Sequence, residues 1–171
     1  VIGDRWGVTD QEVARGYPCD EIVPAPVLAA WRGVTVDATP PEVWAWIGQI
    51  RLAPYSYDWI DNLGRRSPQD LRPIGQPAPG QHFTTAGTRP LGRILVVEPN
   101  VQLTGRIMGA VMSYVLVPTD GSTRLLLKIV AARGRWAAPM LCVGDLVMAR
   151  RQLLNLKRLA ELRPARPMKE P

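Results

Sequence analysis

WRGVTVDATPPEVWAWIGQI, residues 31–50, holds two periodicities back to back, and the switch between them decides the fold. Over 31–38, Trp31, Gly33, Thr35 and Asp37 alternate with Arg32, Val34 and Val36, the period-two pattern of a half-buried strand. Thr39 then suits a helix N-cap, Pro40 or Pro41 the first helical turn, and Glu42 the positive end of the helix dipole. Val43, Trp46, Ile47 and Ile50 recur at helical spacing, and the helix should stop before Pro54.

Downstream, YSYDWIDNLGRR (55–66) reads as a second short helix closed by Gly64. The proline-rich SPQDLRPIGQPAPG (67–80) has no periodicity and is long enough for a lid, a binding-site rim or a plain surface connection. Strands follow: QHFTTA, LGRILVVEP, VQLTGRIM, MSYVLVPT and STRLLLKIVAA. The last two flank Asp120-Gly121, a strong hairpin signal. In the final strand Arg124, Leu126, Lys128 and Val130 share one face, with Lys128 expected to snorkel outward into water. One long amphipathic helix spans about 139–162, ahead of a tail, 163–171, expected to be disordered. Upstream, residues 1–30 read as an arm packed on the domain and anchored by Trp6, Ile22 and Val23. Thr9 and Glu12 form a capping box, while Pro18, Pro24 and Pro26 oppose further helix or central strand. Strand, two short helices, antiparallel strands and long helix make an α+β architecture with helices on one face of the sheet. A curved sheet of this order can wrap around the last helix and leave a hollow.

A chain of 171 residues is most simply one domain, with residues 31–162 as its body. The net charge of +6 comes from arginines scattered between Arg5 and Arg166, with local pairs at Arg65-Arg66 and Arg150-Arg151, so no nucleic-acid partner is expected. Cys19 and Cys142 lack metal or disulfide spacing, and a single histidine excludes a multi-histidine metal centre. No metal or cofactor is expected, and no catalytic residue can be assigned. Without an apolar run of about 18 residues or a secretory pattern at the N-terminus, a cytoplasmic location is the default expectation.

WGVTDQEV, DEIVPAP, VDATPPEVWAWIGQI, YSYDWIDNLG and GDLVMARRQLLNLKRLAE fall in order across most of residues 6–162. Together they resemble bacterial members of the START-related polyketide cyclase/dehydrase and lipid-transport superfamily, SRPBCC. The resemblance implies the helix-grip fold: a curved antiparallel sheet around a long C-terminal helix, with two short helices after the first strand. It also implies a deep, mostly apolar cavity for a lipid, a sterol or a polyketide-like molecule. Some members are enzymes, but the superfamily has no universal catalytic motif, so chemistry does not transfer with fold.

Candidate lining residues follow. Tyr55, Tyr57 and Trp59 either plug the core or touch a ligand, and Asp58 is a helix cap or an acid. On the long helix, Leu141 and Met148 widen the apolar arc, and Asp145 and Gln152 fall inside it. A carboxylate there needs a structural ion pair with an arginine or a polar spot on a cavity wall. Tyr114 shares a face with Met112 and is a lining candidate; Arg106 could face either way, and His82 could sit at the rim. Met108 and Met140 add adaptable apolar bulk. The expected function is binding or transport of a hydrophobic small molecule, the alternative a cyclase/dehydrase-type enzyme using polar groups in the same cavity. A third option is an Arg150-Arg151 helix face that docks an acidic partner or, peripherally, a membrane surface. Oligomeric state is not legible.

Overall fold

The structure, a computed structural model, describes residues 3–132 and 138–162, with side chains from residue 147 onward in the second stretch. The expectations for the side chains of Leu141, Asp145, Met140 and Cys142, and for the tail, fall outside what is described. Six strands form one sheet: β1 (Arg5–Trp6), β2 (Leu28–Val36), β5 (Arg93–Glu98), β6 (Gln102–Ile107), β7 (Ala110–Thr119) and β8 (Ser122–Ala131). Their order is β1-β2-β8-β7-β6-β5, antiparallel except for the parallel β1–β2 pair. A separate hairpin joins β3 (Thr84–Ala86) to β4 (Arg89–Leu91). The helices are α1 (Asp10–Ala14), α2 (Pro18–Ile22), α3 (Pro40–Gly48) and α4 (Ala138–Glu161). This is the expected α+β helix-grip arrangement.

Local chemistry accounts for most boundaries. Thr9 and Glu12 close the expected capping box on α1 (Oγ1 accepts from Glu12 N at 3.2 Å, Glu12 Oε2 from Thr9 N at 2.8 Å). On α3, Glu42 turns back to accept from Thr39 N at 2.7 Å, and the helix gives way to a 3-10 turn at Gln49–Arg51, before Pro54 as expected. That turn is the second short helical element after the first long strand. Residues 55–66, expected to be helix, run instead as turns: Ile60 N and Asp61 N both donate to the Tyr57 carbonyl. Tyr55 (φ 56°) and Leu63 (φ 52°) sit in the left-handed region, and Trp59, Ile60 and Leu63 are exposed. With no buried stripe to dock, a short helix has nothing to repay its nucleation cost. Prolines were expected to oppose helix in the arm, yet Pro18 opens α2 at the position where its missing N–H costs nothing.

The inner face of the sheet packs on α3 and α4. Val36, Leu103, Leu125 and Leu127 form one cluster with Trp46 and Ile47 of α3 and Leu153 and Leu156 of α4. A register shift between Ile94 and Val96 marks a bulge in β5, which bends the strand. The outer face is not open. Tyr17, Cys19 and Val23 lie against Val111, Val115, Leu126 and Val130. The expectation that helices occupy one face is therefore corrected, since α2 covers the back. Burial on both sides is why β8 is buried along most of its length, as strands covered on both faces are.

Lys128 does point outward with Arg124, but not into water. Its Nζ meets Asp20 Oδ1 at 2.6 Å and lies 5.2 Å and 5.0 Å from the Tyr17 and Trp31 ring centroids. Arg124 binds Glu12 at 2.6 Å, and that guanidinium holds the Glu12 carboxyl below its ordinary range against the opposing effect of burial. Two ion pairs thus tie the arm to β8.

Tyr17 donates to the Glu12 carbonyl at 2.8 Å, and burial pushes its phenol up to about 12. A folded-state pKa above the unfolded value near 10 contributes stability that is complete below pH 10 and lost as pH rises toward 12. We expect unfolding free energy to fall by about 2 kcal/mol over this window, measured by denaturant titration at stepped pH. Tyr17→Phe should flatten that decline; an unchanged decline would acquit the phenol.

Candidate functional site

Between the sheet, the β3–β4 hairpin and α4 lies a cavity of about 530 Å³. Its walls are Phe83, Thr84 and Leu91 from the hairpin region, Ile107 and Met112 from β6 and β7, and Met148 and Ala149 from α4. Ile60, Leu63 and Met108, all exposed, form an apolar lip. Met108 (φ 47°) and Gly109 (φ 83°) are the two central residues of the β6–β7 hairpin, with the paired positive φ of a type I′ turn. That conformation swings Met108 out at 92% exposure.

Most polar groups of the wall are committed to the protein itself. The Tyr114 hydroxyl donates to Gln152 Oε1 at 2.6 Å, and Gln152 Nε2 donates to the Pro54 carbonyl at 2.6 Å. This chain of bonds straps β7, α4 and the 54–60 loop together across the cavity wall. Thr85 Oγ1 donates to the Leu52 carbonyl and Ser56 Oγ to the Met148 carbonyl. Thr84 Oγ1 is buried without a hydrogen-bond partner among the described residues. Asp61 also lines the cavity; burial raises its carboxyl above the ordinary value, and neither of its oxygens has a hydrogen-bond partner among the described residues.

YSYDW lies behind one wall of this cavity and forms a second, polar hollow of about 390 Å³ on the other side. Tyr55, Tyr57 and Trp59 line this hollow with Arg66, Arg151 and Arg158, and Ser56 borders both spaces. The loop is clamped to α4, because Asn155 Nδ2 donates to the Tyr55 and Ser56 carbonyls at 2.9 Å and 3.3 Å. Tyr55 is buried edge-on to Trp46, with ring centroids 6.2 Å apart, and accepts from Gln49 Nε2 at 3.2 Å. Burial raises its phenol well above the ordinary value. Asp58 is neither a helix cap nor free: its carboxylate accepts from Ser67 N at 2.9 Å and Ser67 Oγ at 2.5 Å, stapling the loop. Trp59 is 75% exposed.

The candidates thus divide. Met112, Tyr114, Met148 and Gln152 line the apolar cavity, and the three YSYDW aromatics line the polar hollow. His82 lies in neither; it is exposed, with Nε2 3.1 Å from the Arg51 carbonyl. Arg106 is exposed too, because the neighbouring Gly105 faces inward against Phe83 and strand alternation turns Arg106 away. The 67–80 loop is not the cavity's rim. Trp44 Nε1 donates to Gln76 Oε1 at 2.8 Å, and Gln49 and Arg51 bind the loop's backbone. Asp61 and Phe83 were not singled out in the sequence. An aspartate beside exposed Ile60 carries no periodic mark, and a lone phenylalanine just ahead of a three-residue strand looks like ordinary core.

No protein-family model and no curated protein matches the chain. Solved structures do. A Mesorhizobium loti protein is similar at 17% identity, covering 80% of this chain and 98% of that one, with TM-score 0.55. A Thermobifida fusca protein is similar at 20% identity (79% and 95% covered, TM-score 0.52). A polyketide-cyclase-like protein from Corynebacterium glutamicum is similar at 15% identity (81% and 94% covered, TM-score 0.51). The fold is that of the START-like, polyketide-cyclase-like proteins. No described helix is long and apolar enough to cross a membrane.

Proposed function

We propose that the chain binds and carries a hydrophobic small molecule, lipid-, sterol- or polyketide-like, in the cavity between sheet and α4. One observation carries this reading: the chamber of about 530 Å³ is walled by apolar side chains whose few polar neighbours mostly bond to the protein. Its volume falls in the range of small-molecule sites. Transfer of apolar ligand surface out of water supplies the driving force, about 25 cal/mol per Å². The exposed lip of Ile60, Leu63 and Met108 gives such a ligand an apolar path inward.

An enzyme of the cyclase type would need convergent proton-transfer groups. Of those considered, Tyr114 is bonded within the cavity wall, Arg106 faces away, Tyr57 lines the other hollow and Asp145 lies outside the described side chains. Asp61 is then the one uncommitted titratable group on the described wall, and a single group does not make a proton shuttle, so the carrier reading is preferred.

The test is displacement of a fluorescent fatty acid from purified protein, with native mass spectrometry of co-purified lipid. Met112→Trp narrows the chamber and should weaken probe binding at least about tenfold, about 1.4 kcal/mol, with little change in melting temperature. No binding across lipids, sterols and aromatic polyketides would defeat the reading, as would unaltered binding in the Trp variant.

A further inference from the structure

The polar hollow behind the YSYDW loop serves no purpose in the carrier reading, yet its construction is specific. Three guanidinium groups line it: Arg66 from the loop, and Arg151 and Arg158 from α4. Seven residues apart on a helix, the last two lie on one face about 10 Å from each other. None of the three is ion-paired among the described residues. Two are held in place by neutral groups. The Arg151 guanidinium lies 5.7 Å from the Tyr57 ring centroid, and Arg158 Nη2 donates to Gln69 Oε1 at 2.7 Å. Asp58, the carboxylate that lines the hollow, already accepts two hydrogen bonds from Ser67. The local balance is thus three positive charges against one negative, with the two cations of α4 held by partners that do not neutralise them.

We infer that this hollow is an anion site for a phosphate ester. A carboxylate presents two oxygens in a plane. A phosphate presents three or four in a tetrahedron and can take guanidinium forks from the loop and from two turns of α4 at once. The Trp59 indole, exposed beside the hollow, and the Tyr57 ring offer apolar area to whatever the phosphate is attached to. The chemistry is the same whether the phosphate is a soluble ester or a phospholipid headgroup. The site is argued from its own residues and stands whatever the apolar cavity holds.

Calorimetric titration with inorganic phosphate and with glycerol 3-phosphate tests the soluble source. Flotation with vesicles of phosphatidylglycerol, against vesicles of phosphatidylcholine alone, tests the headgroup. The Arg151→Gln/Arg158→Gln double variant should weaken whichever binding is seen at least about tenfold. Arg150→Gln is the control: its guanidinium sits over Trp6 at 5.0 Å, away from the hollow, and it should change binding by less than about twofold. If the double variant proves unstable, Arg66→Gln on the loop carries the same expectation at smaller size. Binding in the soluble arm alone assigns a soluble ester, and binding in the vesicle arm alone assigns a headgroup. Absence of binding in both arms at millimolar ligand overturns the inference, as does an equal loss in the Arg150 control, which would mark a mere effect of overall charge.

Discussion

Valine at position 105 is expected to cost about 3 kcal/mol of folding stability, and alanine somewhat less. A Cβ built on Gly105 lands against the Phe83 ring, 2.6 Å from Cε2 and 2.8 Å from Cγ, with Cδ2 nearer still. The ring has little room to retreat. It is 2% exposed, tilts against Tyr114 with ring centroids 6.2 Å apart, and forms part of the cavity wall. A branched side chain must therefore push either β6 or the β3–β4 hairpin away from the sheet. Urea unfolding of Gly105→Ala, Phe83→Ala and the double variant gives the decisive cycle. Removing the ring should recover much of the cost of the methyl group, a coupling of at least about 1 kcal/mol. Strict additivity would show that the ring moves freely and that the cavity wall is softer than its packing indicates.

Arg51→Met should cost about 3 kcal/mol, in the range for broken buried networks. The side chain is 6% exposed and spends its donors on four separate oxygens. Nε donates to Gly48 O at 3.0 Å, Nη1 to Gln81 Oε1 at 2.7 Å, and Nη2 to Gly75 O at 2.6 Å and Ile74 O at 3.4 Å. Burial pulls the guanidinium pKa below its ordinary value, but arginine's starting point is so high that the charge persists at neutral pH. Methionine keeps the volume and leaves these acceptors without their donor. The 74–81 segment should then open first, detected as faster amide exchange there and new protease cuts. Arg51→Lys restores charge but not the planar fork, and less than half of the lost stability should return. Full rescue by lysine would mean that the network is simple electrostatics.

The sequence carried the frame of this fold because local chemistry and global architecture agree there. Alternation over 31–36, the Thr39–Glu42 helix start and the hairpin at Asp120-Gly121 each read the same alone as they do in place. The apolar arc of the last helix also held where side chains are described, with Ala149, Leu153 and Leu156 buried and Gln152 among them. Legibility failed where the deciding partner is remote. Lys128 looked like a surface residue because nothing near it in sequence announces that Asp20, 108 positions earlier, covers it. YSYDW looked helical from its spacing, whereas its backbone is set by Gln152 and Asn155 about a hundred residues away. Met108 read as core by composition and faces water because a two-residue turn inverts its backbone.

Both margins of the main sheet are at least partly covered, and this bears on how the chain behaves when crowded. On one side β2 meets the two-residue β1, too short to template a neighbour's strand. On the other, β5 is bent by its bulge, and its Ile94 amide and carbonyl are taken up by Gln81 O at 2.8 Å and Gly80 N at 2.9 Å. Among the described residues, the β5 margin thus offers no straight ladder of vacant amides for a second molecule to continue. Aggregation by strand addition would first require the 80–81 segment to peel away, so the Arg51 network that secures it is also a guard against misassembly.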